Sequence, residues 1–255
     1  MNHPTPAIVA QSAVRRLPRL ALLLLCAAYA LPGFWGRSLW KAQDIEAFGY
    51  MLQLAKPGAG EVASWLKPTL LGTPDSNLAL LPYWLGAAFI RLAPSGFEDS
   101  FARLPFIAML TATLAATWYA VYALTRHPAA QPVAFAFGGE AKPADYARAM
   151  ADGGLLALLA CLGLAQLSHE TSADATRLAM VCVMFMAASA LTRPTITSPI
   201  RTPVLWTLGL IGLILSGAPW MAAILSVGLL GATVWARPTT ISSAWGPNVA
   251  QDPRP

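Results

Sequence analysis

Five stretches of the chain, 20–36, 104–125, 153–168, 178–192 and 202–236, contain no charged residue. A helix rises 1.5 Å per residue and a bilayer core is about 30 Å thick, so roughly 20 apolar residues make one crossing. The last stretch is too long for a single crossing and carries Gly217-Ala218-Pro219 at its middle, where these residue types break a helix and favour a tight turn. The runs therefore predict six membrane spans in an all-α polytopic protein. Composition agrees: 56% of the 255 residues are hydrophobic and 11% charged, with mean hydropathy +0.53. An average soluble domain is about 25% charged, so a water-soluble fold and a disordered chain are both excluded. Cys26, Cys161 and Cys182 all lie inside apolar runs, which argues against a disulfide scaffold or a redox role.

The net charge of +5 comes from lysines and arginines scattered singly between the runs, without the stripe that nucleic acid requires. They serve better as topology markers. With six spans, one face receives Arg15, Arg16 and Arg19, then Arg126, Lys142 and Arg148, then Arg193 and Arg201, and finally Arg237 and Arg254. Positive charge in short loops marks the cytoplasmic side, so both termini are expected there. The expected organisation is an arm over 1–19, a membrane module over 20–236 and a flexible tail over 237–255. Within the module, an outer loop covers 37–103 with amphipathic helices, and a cytoplasmic loop covers 126–152. A short amphipathic helix is expected around Lys142, Asp145 and Arg148. The apolar segment 77–89 is shorter than a span and interrupted by Pro82, which suits a helix lying at the membrane surface.

The scarce acids point to where chemistry could occur, because an acid near a membrane is costly unless it is solvated or used. Asp44 and Glu46 follow the first span; His169, Glu170 and Asp174 sit between the third and fourth. Six-span parity puts both groups on the outer face, where they could line one cleft. Solvated loop acids are the competing explanation, and for His169 it is a helix-end cap. The Tyr83-Trp84 and Trp35/Trp40 pairs are expected in the interfacial aromatic belt. The chain has no P-loop, G-x-S-x-G, H-E-x-x-H or dinucleotide-binding glycine turn. A small transporter is disfavoured, since no inverted repeat or mid-span acid or lysine is visible.

The order of several short motifs resembles the polytopic C-type glycosyltransferases, specifically glycosyltransferase family 39, which holds protein O-mannosyltransferases and lipid A aminoarabinose transferases. The matching residues are Leu39-Trp40, Asp44, the run from Trp65 through Lys67-Pro68 and Gly72 to Pro74, Tyr83-Trp84, Phe101-Ala102-Arg103-Leu104-Pro105, and His169 through Asp174. The resemblance implies transfer of a sugar from a polyprenyl-phosphate carrier to an acceptor at the outer face of the bacterial inner membrane. It also implies catalytic roles for Asp44, Glu46 and Asp174, with a first-loop acid serving as, or near, the general base. Arg103 and the weaker candidate Lys67 would face the donor phosphate; His169 and Glu170 would lend support or hold a divalent metal. For Arg103 the competing role is a snorkelling interfacial anchor. The chain departs from the family at Gln43-Asp44, where the family has Asp-Glu, and at Asn77 through Leu80, where it has Glu-Lys-Pro-Pro. Family members also continue further, so the chain is expected to be truncated or reduced, with a partner chain as one source of the remainder. The alternative is a non-catalytic relative that binds a polyprenyl lipid or a membrane partner.

Overall fold

The computed structural model describes residues 8–36, 38–39, 41–56, 62–75, 79–191 and 200–235. Trp40, Asn77, Leu78, Arg193 and the 237–255 tail with Arg237 and Arg254 lie outside the described residues. The protein is mostly helical. Helix α1 covers Arg19–Ala30, α2 Ala42–Ala55 and α3 Val62–Leu66. A small antiparallel hairpin of β1 (Thr69–Leu70) and β2 (Thr73–Pro74) follows. Then come α4 (Leu81–Ile90), α5 (Glu98–Thr125), α6 (Pro143–Leu159), α7 (Leu162–Leu167), α8 (Ala173–Leu191), α9 (Arg201–Leu215) and α10 (Pro219–Trp235).

Among the described residues, two helices are long and apolar enough to cross a membrane, α5 and α8. Their 28 and 19 residues give about 42 and 28 Å of rise. The remaining expected spans are apolar but shorter: α1 has 12 residues, α9 15 and α10 17. The third uncharged run does not form one helix. It divides at Cys161, whose extended backbone separates α6 from α7. The helix expected in the 126–152 loop is also not a separate element, because α6 begins at Pro143 and runs directly into that third run. Proline fits at this first position, where the N–H it lacks would have had no intrahelical partner. The turn at Gly217 is present, with φ +75°, and Pro219 opens α10.

Helix α5 is central and packs against α4, α6 and α8; α2 lies against α4, and α9 against α8. Tyr50, Met51, Tyr83, Ala87, Phe106, Leu110 and Leu114 form much of the main core. Gly86 lets α2 and α4 approach closely: a Cβ there would fall 2.2 Å from the Met51 sulfur. Gly209 and Gly212 do the same for α8 and α9, where a Cβ would meet Met184 Cγ at 2.4 Å and Met180 Sδ at 2.3 Å. Outside this core, large apolar side chains remain exposed at helical spacing. They include Leu20, Leu23 and Leu24 on α1, Val204, Leu208, Ile211 and Ile214 on α9, and Trp220, Ile224, Val227 and Leu230 on α10.

Polar contacts gather at the two ends of this bundle. At one, the arm end, the segment before α1 lies along the loop before α6. Ala10 and Glu140 form a β-bridge, Gln11 N–H donates to the Gly139 carbonyl, and Ala141 N–H donates to that of Val9. Asp145 accepts from Gln11 and Arg16, at 3.0 Å each. Buried Asp152 accepts from Leu17 N–H at 3.2 Å and Trp118 Nε1 at 2.9 Å. The opposite end carries the start of α2, the hairpin, the start of α4, the α7–α8 turn and the α9–α10 turn.

Candidate functional site

At that opposite end, Gln43, Glu46 and Ala47 from α2, Tyr83 from α4, and Ser172, Ala173, Asp174 and Arg177 around the start of α8 line one small cleft. Its open volume is about 50 Å³. Two of the expected catalytic acids, Glu46 and Asp174, are thus brought together from distant parts of the chain. Glu46 is exposed and the Asp174 side chain half exposed, so both carboxylates reach solvent.

Asp44 does not line the cleft. It is 1% exposed in the first turn of α2, and its Oδ1 accepts from Thr171 N–H at 2.9 Å and Thr171 Oγ1 at 2.6 Å. These bonds tie α2 to the α7–α8 turn and set the spacing of Glu46 and Asp174. A second link is the ion pair between Lys41 and buried Glu170. His169 is a clamp in the same turn. Its Nε2 lies 2.9 Å from the Tyr29 carbonyl and its Nδ1 3.1 Å from Ser168 Oγ, while its ring packs against Tyr29 and Phe34. Gly33 makes room for it, because a Cβ there would fall 2.0 Å from the imidazole.

No group of three or more His, Cys, Asp or Glu among the described residues is arranged to hold a metal ion. His169 and Glu170, the candidate metal ligands, instead point to different neighbours.

The cations are arranged differently from expectation. Arg103 on α5 is 3% exposed, so it is no snorkelling anchor; its Nη1 donates to the Phe34 carbonyl at 2.8 Å. Its Nη2 lies 3.7 Å from Asp99, while Nε and Nη2 make no hydrogen bond. Lys67 is exposed beside the hairpin and does not line the cleft. The cation in the cleft is Arg177, which sequence reasoning passed over. It donates from Nη1 to Asp174 Oδ1 and from Nε to the Ser216 carbonyl, both at 2.8 Å. Its three-residue spacing from Asp174 places both side chains on one helix face, a signal present in the sequence.

The aromatic-belt expectation also fails for Tyr83. It is buried, stacks on Tyr50 with ring centroids 4.9 Å apart, and is hydrogen-bonded to Asp75. Asp75 is a second residue missed from sequence. It is buried after the hairpin, and its Oδ2 accepts from Ala79 N–H at 2.8 Å. The hairpin reverses through Leu71 and Gly72, with φ +53° and +84°, as a two-residue turn with left-handed positions requires. Burial, reinforced by the negative charge of Asp75, pushes the Tyr83 phenol well above its ordinary range, and burial also raises Tyr50. Both are therefore neutral at physiological pH. Trp84 is half-buried and donates from Nε1 to the Trp65 carbonyl at 2.8 Å.

A comparison with family models, curated proteins and solved structures finds no match to this chain.

Proposed function

We propose that the chain is an integral membrane glycosyltransferase-like protein of the bacterial inner membrane, crossing six times with both termini cytoplasmic. The exposed apolar faces of α1, α9 and α10 favour a membrane setting. Contiguous apolar faces of this kind are unusual on a water-soluble monomer, and covering them with lipid gains up to about 2 kcal/mol for each large side chain. Six crossings fit the sorting of contacts: the arm and the 126–152 loop share one end, and the α7–α8 and α9–α10 turns share the other. A reagent confined to the periplasm should leave Ala144→Cys unlabelled, and labelling there would overturn this topology.

The observation that carries the catalytic reading is the convergence of Glu46 and Asp174 in one cleft with Arg177 between Asp174 and the α9–α10 turn. In this reading a cleft carboxylate takes the proton from an acceptor hydroxyl as that oxygen bonds to the anomeric carbon. The bond from the anomeric carbon to the carrier phosphate breaks, and Arg177 offsets the charge left on the phosphate. Asp44 acts as a positioning residue through Thr171. Glu46→Gln and Asp174→Asn should each reduce transfer from a polyprenyl-phosphate sugar in proteoliposomes by about 10²-fold or more. Equal transfer by wild type and both variants would overturn the assignment.

The cleft's small volume favours a second reading, a non-catalytic relative that binds a polyprenyl lipid or a membrane partner, since ligand pockets usually span about 300–1,000 Å³. Retention of the carrier lipid without turnover distinguishes it.

A further inference from the structure

The loop before α6 holds its most apolar tip away from the protein. Phe137 is wholly exposed and Val133 is exposed nearby, although the loop is ordered by backbone bonds to the arm on its far side. Gly138 and Gly139, at φ +74° and +94°, turn the chain immediately after Phe137, and Gly138 N–H donates to the Phe135 carbonyl. A phenyl ring fixed in water on an ordered turn gains nothing unless something covers it.

The neighbouring charges indicate what that is. Arg15 and Arg19 are exposed on and beside the arm, with no ion pair to a described residue, and Lys142 is exposed where the loop enters α6. The acids of this end already have partners: Asp145 accepts from Gln11 and Arg16, Asp152 from Leu17 and Trp118, and half-buried Glu140 from the Phe135 N–H at 3.4 Å, turned back into its own loop. Arg19 also opens α1, directly before the exposed Leu20, Leu23 and Leu24, so uncommitted positive charge sits where an apolar face begins. An apolar tip flanked by free cations is the pattern that binds an anionic lipid surface, the ring entering the headgroup region and the cations meeting phosphates.

We infer that the arm and the 131–142 loop form a platform that docks on the anionic bilayer surface, with Phe137 inserted and Arg15, Arg19 and Lys142 against lipid phosphates. The inference rests on the membrane reading above, not on the transferase reading. It is tested on the full chain with Cys26, Cys161 and Cys182 replaced by alanine and Phe137→Cys carrying an environment-sensitive fluorophore. The chain is reconstituted in phosphatidylcholine vesicles with or without phosphatidylglycerol. Because Phe137 touches little of the protein, the label leaves the fold intact. The probe should be blue-shifted and protected from iodide in the anionic vesicles and less so in the neutral ones. Arg15→Gln and Arg19→Gln should each lower the docked-to-free ratio about fivefold. Equal iodide access in both vesicle types overturns the inference, and so does equal protection in both. Loss of the chain from the vesicles after an alkaline wash instead overturns the membrane reading itself.

Discussion

The two ends of the bundle use one device for different purposes. Each ties distant segments together with a buried carboxylate: Asp44 to Thr171 at the cleft end, Asp152 to Leu17 and Trp118 at the arm end. At the arm end the nearby acids Asp145 and Glu140 also have partners, Gln11 and Arg16 for the first and the Phe135 N–H for the second. At the cleft end Glu46 is open to solvent, and Asp174, though paired with Arg177 at 2.8 Å, keeps half of its side chain exposed, against 19% for Asp145. Acids spent on holding segments together build an anchor. Acids beside the other tie stay within reach of solvent.

The comparison breaks most readily at the ties. Asp44→Ala strands the buried Thr171 donors and should destabilise the detergent-solubilised protein by about 3 kcal/mol, seen as a lowered Tm, while Asp152→Ala strands the part-buried Leu17 and Trp118 donors and should cost about 2 kcal/mol. Asn in place of either should recover part of the loss. If Asp44→Ala melts like wild type, the tie at the cleft end is not structural and the symmetry between the ends fails.

Crowding the clamp tests the cleft end alone. Gly33→Ala must displace His169 and should cost about 1–3 kcal/mol. An unchanged Tm would show that the 169–174 turn is not held by that imidazole.

The paired tyrosines provide a pH signature. Their phenols titrate higher in the folded protein than in the unfolded chain, so the neutral form is favoured by folding. Stability from this source is complete below the ordinary tyrosine value of about 10 and declines as pH rises beyond it. Tyr83→Phe should flatten that alkaline decline in Tm, and Asp75→Asn should lower the pH at which Tyr83 ionises, read by NMR of ring-labelled tyrosine. An ionisation of Tyr83 unaffected by Asp75→Asn would separate the two residues.

The smallest effect belongs to the arm's surface. Arg16→Ala removes an ion pair whose arginine is about half exposed, so the change should stay below about 1 kcal/mol by the same Tm measurement. A larger loss would mean that the arm is held by charge and not by its backbone bonds.

Much of this organisation was legible because runs without charge report helices directly. The turn at Gly217 was legible in the length of the last uncharged run and its Gly-Ala-Pro, and Glu46 and Asp174, expected to share a cleft, both line it. Helix α5 begins at Glu98, six residues before its uncharged run, because acids favour a helix N-terminus and a charge criterion excludes them. The break at Cys161 had no sequence mark. Asp75 was unreadable for another reason: its meeting with Tyr83 depends on the hairpin, not on any local spacing. The burial of Arg103, expected to face the donor phosphate or to anchor at the surface, was not legible because its partner, the Phe34 carbonyl, leaves no trace in the sequence.

The hairpin of α9 and α10 is joined to the cleft at its tip. Leu80 N–H donates to the Leu215 carbonyl at 2.7 Å, and Arg177 reaches the Ser216 carbonyl. In the order of synthesis, Glu46, Tyr83 and Asp174 all emerge well before residues 215 and 216, and domains assemble as their segments become available. The cleft therefore reaches its final shape only after the fifth apolar run has left the ribosome, so the chain carries an unfinished site through most of its own production.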